Sequence, residues 1–186
     1  MTYSQHQREF NAFRDACVWL RNCFNIYNHL YDSGEETEKT LLCVAPLFFD
    51  DLQKILQEYF FLQVRKITDP AFMGRRANLS VPYIDQVLAS AGLSSPEISR
   101  LSASVLAYRG TTLDIVNRVA AHSDHFTVLA GADVGAHPEA ELVKFMESLQ
   151  SYTDLVGAAL GVGPLDYRTQ AGPGDVIDLV RALKRV

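Results

Sequence analysis

Asp114, Arg118 and His122 follow one another at steps of four in the stretch "DIVNRVAAHSD", residues 114–124. On a helix that spacing stacks three side chains along one flank, where Asp114 can orient the Arg118 guanidinium and Arg118 can lie beside the imidazole. An imidazole can take a proton from a ribose 2′-hydroxyl while a guanidinium steadies the charge that builds on the attacked phosphate. Those two groups are the minimum equipment of a metal-free ribonuclease. The same row also reads as an i,i+4 salt bridge followed by a histidine that complements the negative end of the helix dipole. Spacing alone leaves both readings open.

Other catalytic signatures are missing. The chain has no GxxxxGK[ST] phosphate loop, no GxSxG elbow, no HExxH and no CxxC pair. His122, Asp124 and His125 in "HSDH" are metal-type donors, but no further cluster at ligand spacing completes a site. Neither metal nor cofactor is expected, and Ser123 or Asp124 reads as a residue ending a helix. "GVGPLDYRTQAGPG" carries glycines without the strand-then-helix setting of a dinucleotide loop, so it reads as a connector.

The 186 residues, 48% of them hydrophobic, suffice for one buried core, and a single domain over residues 1–186 is expected. A net charge of −5 excludes a global basic field, so any RNA contact must be local. The basic clusters are Arg65-Lys66, Arg75-Arg76 and the terminal "RALKRV", each compatible with a solvated face. No apolar run is long enough to span a membrane, and the first thirty residues lack the order of a signal peptide, which points to a cytoplasmic protein without membrane contact. Cys17, Cys23 and Cys43 read as three free thiols, the first two within an apolar helical pattern.

The elements that must position the polar row are helices. Phe10, Phe13, Cys17, Leu20, Phe24, Tyr27 and Tyr31 trace one stripe, and Leu41, Ala45, Phe48, Leu52, Ile55, Tyr59 and Leu62 a second. Pro46 sits inside the second, where the helix either bends or properly begins near Leu42 with a looser first turn. Ser80, Pro82 and Gly92 frame a short helix, and Ser95 and Pro96 open the long one that carries the polar row and ends near His122. Gly110 within it suggests a bend or a close helix contact. "FTVLA", residues 126–130, reads as loop because a lone strand has no partner. Leu142, Phe145, Leu149, Tyr152, Val156 and Leu160 define the last long helix, and Val176, Leu179, Val180 and Leu183 a short terminal one. Four long amphipathic helices, at about 10–31, 38–66, 96–122 and 138–160, can bury their stripes only against one another. The expected fold is all-α, an antiparallel four-helix bundle with extra short helices and residues 161–186 as a C-terminal appendage. Phe48, Phe49, Tyr59, Phe60 and Phe61 surround the second helix on more than one face, which suggests a homodimer.

A helix ending in "NRVAAHSD", preceded by "QVRKITDP" and "ANLSVPYI", resembles the HEPN superfamily, in particular its abortive-infection-like branch, over roughly residues 10–160. The resemblance implies a helical bundle, commonly dimeric, often a toxin of a toxin–antitoxin pair or a phage-defence ribonuclease. RNA and an antitoxin protein are then the expected partners. The superfamily's signature is an arginine, four to six residues, then a histidine, with a polar residue usually following the arginine. His122 matches the histidine and Asn117 the polar position, whereas Val116 stands where the arginine belongs. Arg118 lies about 160° around the helix from Val116. The resemblance thus implies catalytic roles for His122, Arg118, Asn117 and Asp114 if Arg118 substitutes, and a non-catalytic module binding RNA, nucleotide or an antitoxin if it does not.

Overall fold

The structure, a computed structural model, describes residues 4–120, 139–169 and 172–185. Helix α1 (Gln5–Tyr31) opens with a capping box, in which the Ser4 hydroxyl accepts from the Gln7 amide at 3.3 Å and Gln7 Oε1 accepts from the Ser4 amide at 2.8 Å. It therefore begins before the apolar stripe does.

The expected second helix is two helices, α2 (Glu35–Val44) and α3 (Pro46–Thr68). Proline crowds the residue before it out of the helical region, and Ala45 takes φ −158°, ψ 72°. Pro46 then occupies the first turn of α3, where its missing N–H costs nothing. Gly34, at φ 96°, stands at the N-cap of α2, which thus starts before residue 38, the expected start of the second helix.

After α3 comes a two-stranded hairpin that the apolar periodicity does not reveal, β1 (Phe72–Met73) paired antiparallel with β2 (Arg76–Ala77). Gly74 at φ 62° is the first of its two loop residues, the position where such turns need a left-handed backbone. Helix α4 (Val81–Ser90) has Pro82 in its first turn, and Gly92 follows its end at φ 69°. Ser80 sits at its N-cap, but the hydroxyl bonds the Asn78 carbonyl at 3.4 Å and not a helix amide.

Ser95 does cap α5 (Pro96–Ala120), accepting from the Ile98 amide at 3.2 Å. Among the described residues nothing lies within 4 Å of where a Cβ would sit on Gly110, so of the bend and the close helix contact expected there, the contact is not made by them. Helix α6 (Glu139–Ala159) follows, and α7 (Val176–Leu183) is capped by the Asp175 carboxylate, which accepts from the Ile177 and Asp178 amides. "FTVLA" and the end of the polar row lie outside the described residues.

Side-chain partners fix the helix directions. On α1, Trp19 meets Tyr59 and Tyr31 meets Phe49, so α3 runs against α1. Phe13 meets Tyr152 and Arg21 meets Met146, so α6 also runs against α1. Ser104 meets Ser148 and Tyr108 stacks on Phe145 at 4.4 Å, so α5 runs against α6 and therefore against α3. The result is the expected antiparallel four-helix bundle of α1, α3, α5 and α6.

Its main core is built on fully buried Phe10, Phe13, Leu20, Val105, Phe145 and Tyr152. A second, smaller core joins Leu30, Leu41 and Phe49 to Val176, Val180 and Leu183 of α7. The connector between α6 and α7 returns to α1, where Arg14 donates to the Gly163 carbonyl at 3.0 Å, and Tyr167 is buried with its hydroxyl 2.9 Å from that of Thr153. Cys17, Cys23 and Cys43 are free, Cys43 being exposed, and burial pushes the Cys17 and Cys23 thiols up. No helix among the described residues is long and apolar enough to cross a membrane.

Candidate functional site

Asp114, Asn117 and Arg118 stand on the last two turns of α5, which is continuous through Ala120. His122, like Asp124 and His125, lies outside the described residues. The backbone of this stretch can be placed in the bundle from a polar contact between α5 and the end of α3. Arg109 donates through Nη1 to the Thr68 carbonyl at 2.7 Å and to Asp69 Oδ1 at 2.8 Å. Both side chains are largely buried, so this charge-assisted pair is shielded from solvent. Nine residues further on, Arg118 lies about 14 Å along the axis. Because α5 runs against α3, that displacement brings the α5 backbone at Arg118 to the level of Tyr59 on α3.

At that level α3 carries an uncovered apolar seam. Phe48, Ile55 and Leu62 recur at intervals of seven and are 60%, 58% and 37% exposed. Leu52 and Tyr59, half-buried, fill the intermediate positions to give alternating steps of four and three, the spacing of a helix-pairing seam. Trp19 of α1, itself exposed, extends the strip sideways by donating from its indole N–H to the Tyr59 hydroxyl at 3.0 Å. Of the five aromatics expected to crowd this helix, Phe49, Phe60 and Phe61 are buried within the chain and only Phe48 is exposed. The free face therefore mixes aliphatic residues (Leu52, Ile55, Leu62) with aromatic ones (Phe48, Tyr59, Trp19).

Farther from the motif, α4, α5 and α6 meet at one carboxylate. Asp85 accepts from Ser102 at 2.5 Å and from the fully buried Tyr152 at 2.8 Å. Burial, then the Asp85 charge, pushes the Tyr152 phenol well above its ordinary range, so it stays a donor. The network ties α5, the helix that carries the motif, to α4 and α6.

The polar row was found from its spacing. The Arg109–Asp69 pair was not, because its partners are 40 residues apart and only the fold joins them. "TDP" held a usable signal, since an aspartate before a proline ends a helix where its carboxylate is free to reach a neighbour. Among the described residues no three His, Cys, Asp or Glu side chains converge as metal ligands.

A family model described as HEPN_AbiU2 (AbiU2) matches residues 3–179, nearly the whole chain. No curated protein and no solved structure matches it.

Proposed function

The chain belongs to the HEPN_AbiU2 family, and from that premise we propose that it is a metal-independent endoribonuclease of the abortive-infection type, acting as a homodimer. His122 takes the proton from a ribose 2′-hydroxyl, the freed oxygen attacks the adjacent phosphorus, and the bond to the 5′-oxygen breaks. The products are a cyclic phosphate end and a 5′-hydroxyl that takes its proton from water. Arg118 stabilises the extra negative charge on the phosphoryl oxygens, Asp114 orients Arg118, and Asn117 supplies a further hydrogen bond to the phosphate.

The observation that supports this reading is the shared level of the motif and the apolar seam. A second copy seated on Phe48, Ile55 and Leu62 would bring two α5 ends toward one cleft, where single-stranded RNA meets both. The test is cleavage of mixed-sequence RNA in the presence of chelator, lost in His122→Ala.

One observation favours a second reading. Val116 occupies the position of the family's arginine, and Arg118 begins from a different face of the helix. A module that binds RNA, nucleotide or an antitoxin protein without cutting would need no guanidinium at 116. It would bind RNA equally well with and without the His122 imidazole and leave it intact.

A further inference from the structure

The hairpin after α3 combines features that the motif does not use. Phe72 and Met73 on β1 are 52% and 59% exposed, although a two-stranded ribbon this short gains nothing from displaying them to water. Arg75 in the loop and Arg76 on β2 are exposed and pair with no carboxylate among the described residues. Lys66 and Arg65 stand on the last turn of α3 immediately before it. The one acidic residue between Gln63 and Ser80 is Asp69, and its charge is taken up by Arg109. In a chain of net charge −5 this segment is a local cationic surface.

The hairpin is also held in place. The Asn78 amide donates to the Ala71 carbonyl at 2.8 Å, the Asn78 side chain to the Pro70 carbonyl at 2.7 Å, and Ala71 is buried. Phe72 rests edge-on against Tyr83, with ring centroids 6.2 Å apart, which supports one side of the ring and leaves the rest open. Tyr83 in turn bonds Glu9, whose carboxylate is also held by Gln5. Its root is clamped by Arg109 to α5, the helix that ends in the candidate motif.

We propose that this hairpin is a single-stranded RNA grip, with Phe72 as a stacking platform for a base and Arg75 and Arg76 as phosphate contacts. Anionic charge and flat apolar rings are what one surface of exposed arginines beside an open aromatic ring complements together, and a single-stranded nucleic acid carries both at every residue. An acidic protein would engage the arginines without needing the ring. The inference rests on the ribonuclease reading for its choice of RNA, and it assigns the substrate a path along α5 from the hairpin toward Arg118.

The test uses the full-length protein and a fluorescent 2′-O-methyl oligoribonucleotide of mixed sequence, about a dozen residues long to cover one binding surface. Lacking the 2′-hydroxyl, the probe cannot be cut by the proposed chemistry, so binding is read whether or not the chain is a nuclease. Failure of an unmodified RNA of the same sequence to be cut, with binding of the probe intact, would count against the ribonuclease reading alone. The expected result is that R75A/R76A weakens binding about tenfold or more and lowers the dependence of log K on log salt by roughly one to two. F72A should weaken binding at least about fivefold with little change in that dependence. The three substituted positions, Phe72, Arg75 and Arg76, are all exposed, and circular dichroism checks that the variants fold. The proposal is overturned if the wild type does not bind the probe, if neither variant changes affinity, or if the arginine variant alone does.

Discussion

Arg109 and Asp69 join the middle of α5 to the end of α3 through one guanidinium nitrogen, which donates at 2.8 Å to the carboxylate and at 2.7 Å to the adjoining Thr68 carbonyl. Arg109→Ala leaves a largely buried carboxylate and the last carbonyl of a helix without their donor. It should cost about 1–3 kcal/mol in urea unfolding. Arg109→Lys should recover only part of that, because a single ammonium cannot reproduce the planar geometry of the donor. Equal stability of all three proteins would remove this pair from any account of how α5 is positioned.

Gly157 marks the closest approach between α6 and the connector that follows it. A Cβ there would lie 2.3 Å from the Gly163 carbonyl oxygen and 3.3 Å from the Phe10 ring, and that oxygen belongs to a backbone that Arg14 also holds. In an open helix Gly→Ala gains about 1 kcal/mol. Here Gly157→Ala should instead lower stability by roughly 1–3 kcal/mol through overpacking. A raised melting temperature would show that the connector yields freely.

Stability should fall at alkaline pH partly through Tyr31. Its hydroxyl donates to the Phe49 carbonyl at 2.7 Å, and burial, then the neighbouring Tyr27 and Asp50 charges, raise its pKa to about 12. The unfolded phenol ionises near its ordinary value of 10 while the folded one holds its proton. Between those values the unfolded state binds fewer protons, so stability declines as pH rises. Tyr31→Phe should be less stable than wild type at neutral pH, by about 1 kcal/mol for the lost hydrogen bond, and the gap should narrow above pH 10. A gap that is constant from neutral to alkaline pH would contradict the role given to this hydroxyl.

The bundle and most of its helix ends were legible because apolar residues at steps of three and four, together with Ser95, Pro96, Pro82 and Gly92, are local signals. Ala45 was not, since the stripe through Leu41, Ala45 and Phe48 keeps its phase across the break and only the steric demand of Pro46 separates α2 from α3. The hairpin escaped because two residues per strand carry no period. The burial of Phe49, Phe60 and Phe61 was hidden for a related reason: crowded aromatics on a helix suggest an external partner until α1, α5 and α7 are seen to cover them. Of the candidate site, sequence supplies the identities and the order of Asp114, Asn117, Arg118 and His122. It does not supply what positions the helix that carries them, such as the Arg109–Asp69 pair, whose partners are 40 residues apart.

The seam on α3 should decide the oligomeric state. Ile55→Lys puts a charge at the centre of the exposed apolar strip without touching either core, so the chain should fold with unchanged helicity and sediment as a monomer. Wild type should sediment as a dimer. A monomeric wild type, or a variant that remains dimeric, would show that this face is not where copies meet.

Arg118→Ala should reduce cleavage by roughly two to three orders of magnitude, the usual loss when one donor to a developing oxyanion is removed, and Asp114→Ala should be milder. If Arg118→Ala cuts RNA at the wild-type rate, another cation fills the role that Val116 cannot.

The central claim is tested most directly by incubating single-stranded, mixed-sequence RNA with wild type and His122→Ala in excess chelator, with circular dichroism confirming that the two are equally folded. Cleavage by wild type that leaves cyclic phosphate ends, and none by His122→Ala, is the predicted result. Intact RNA with both proteins, or equal cleavage by both, would contradict it.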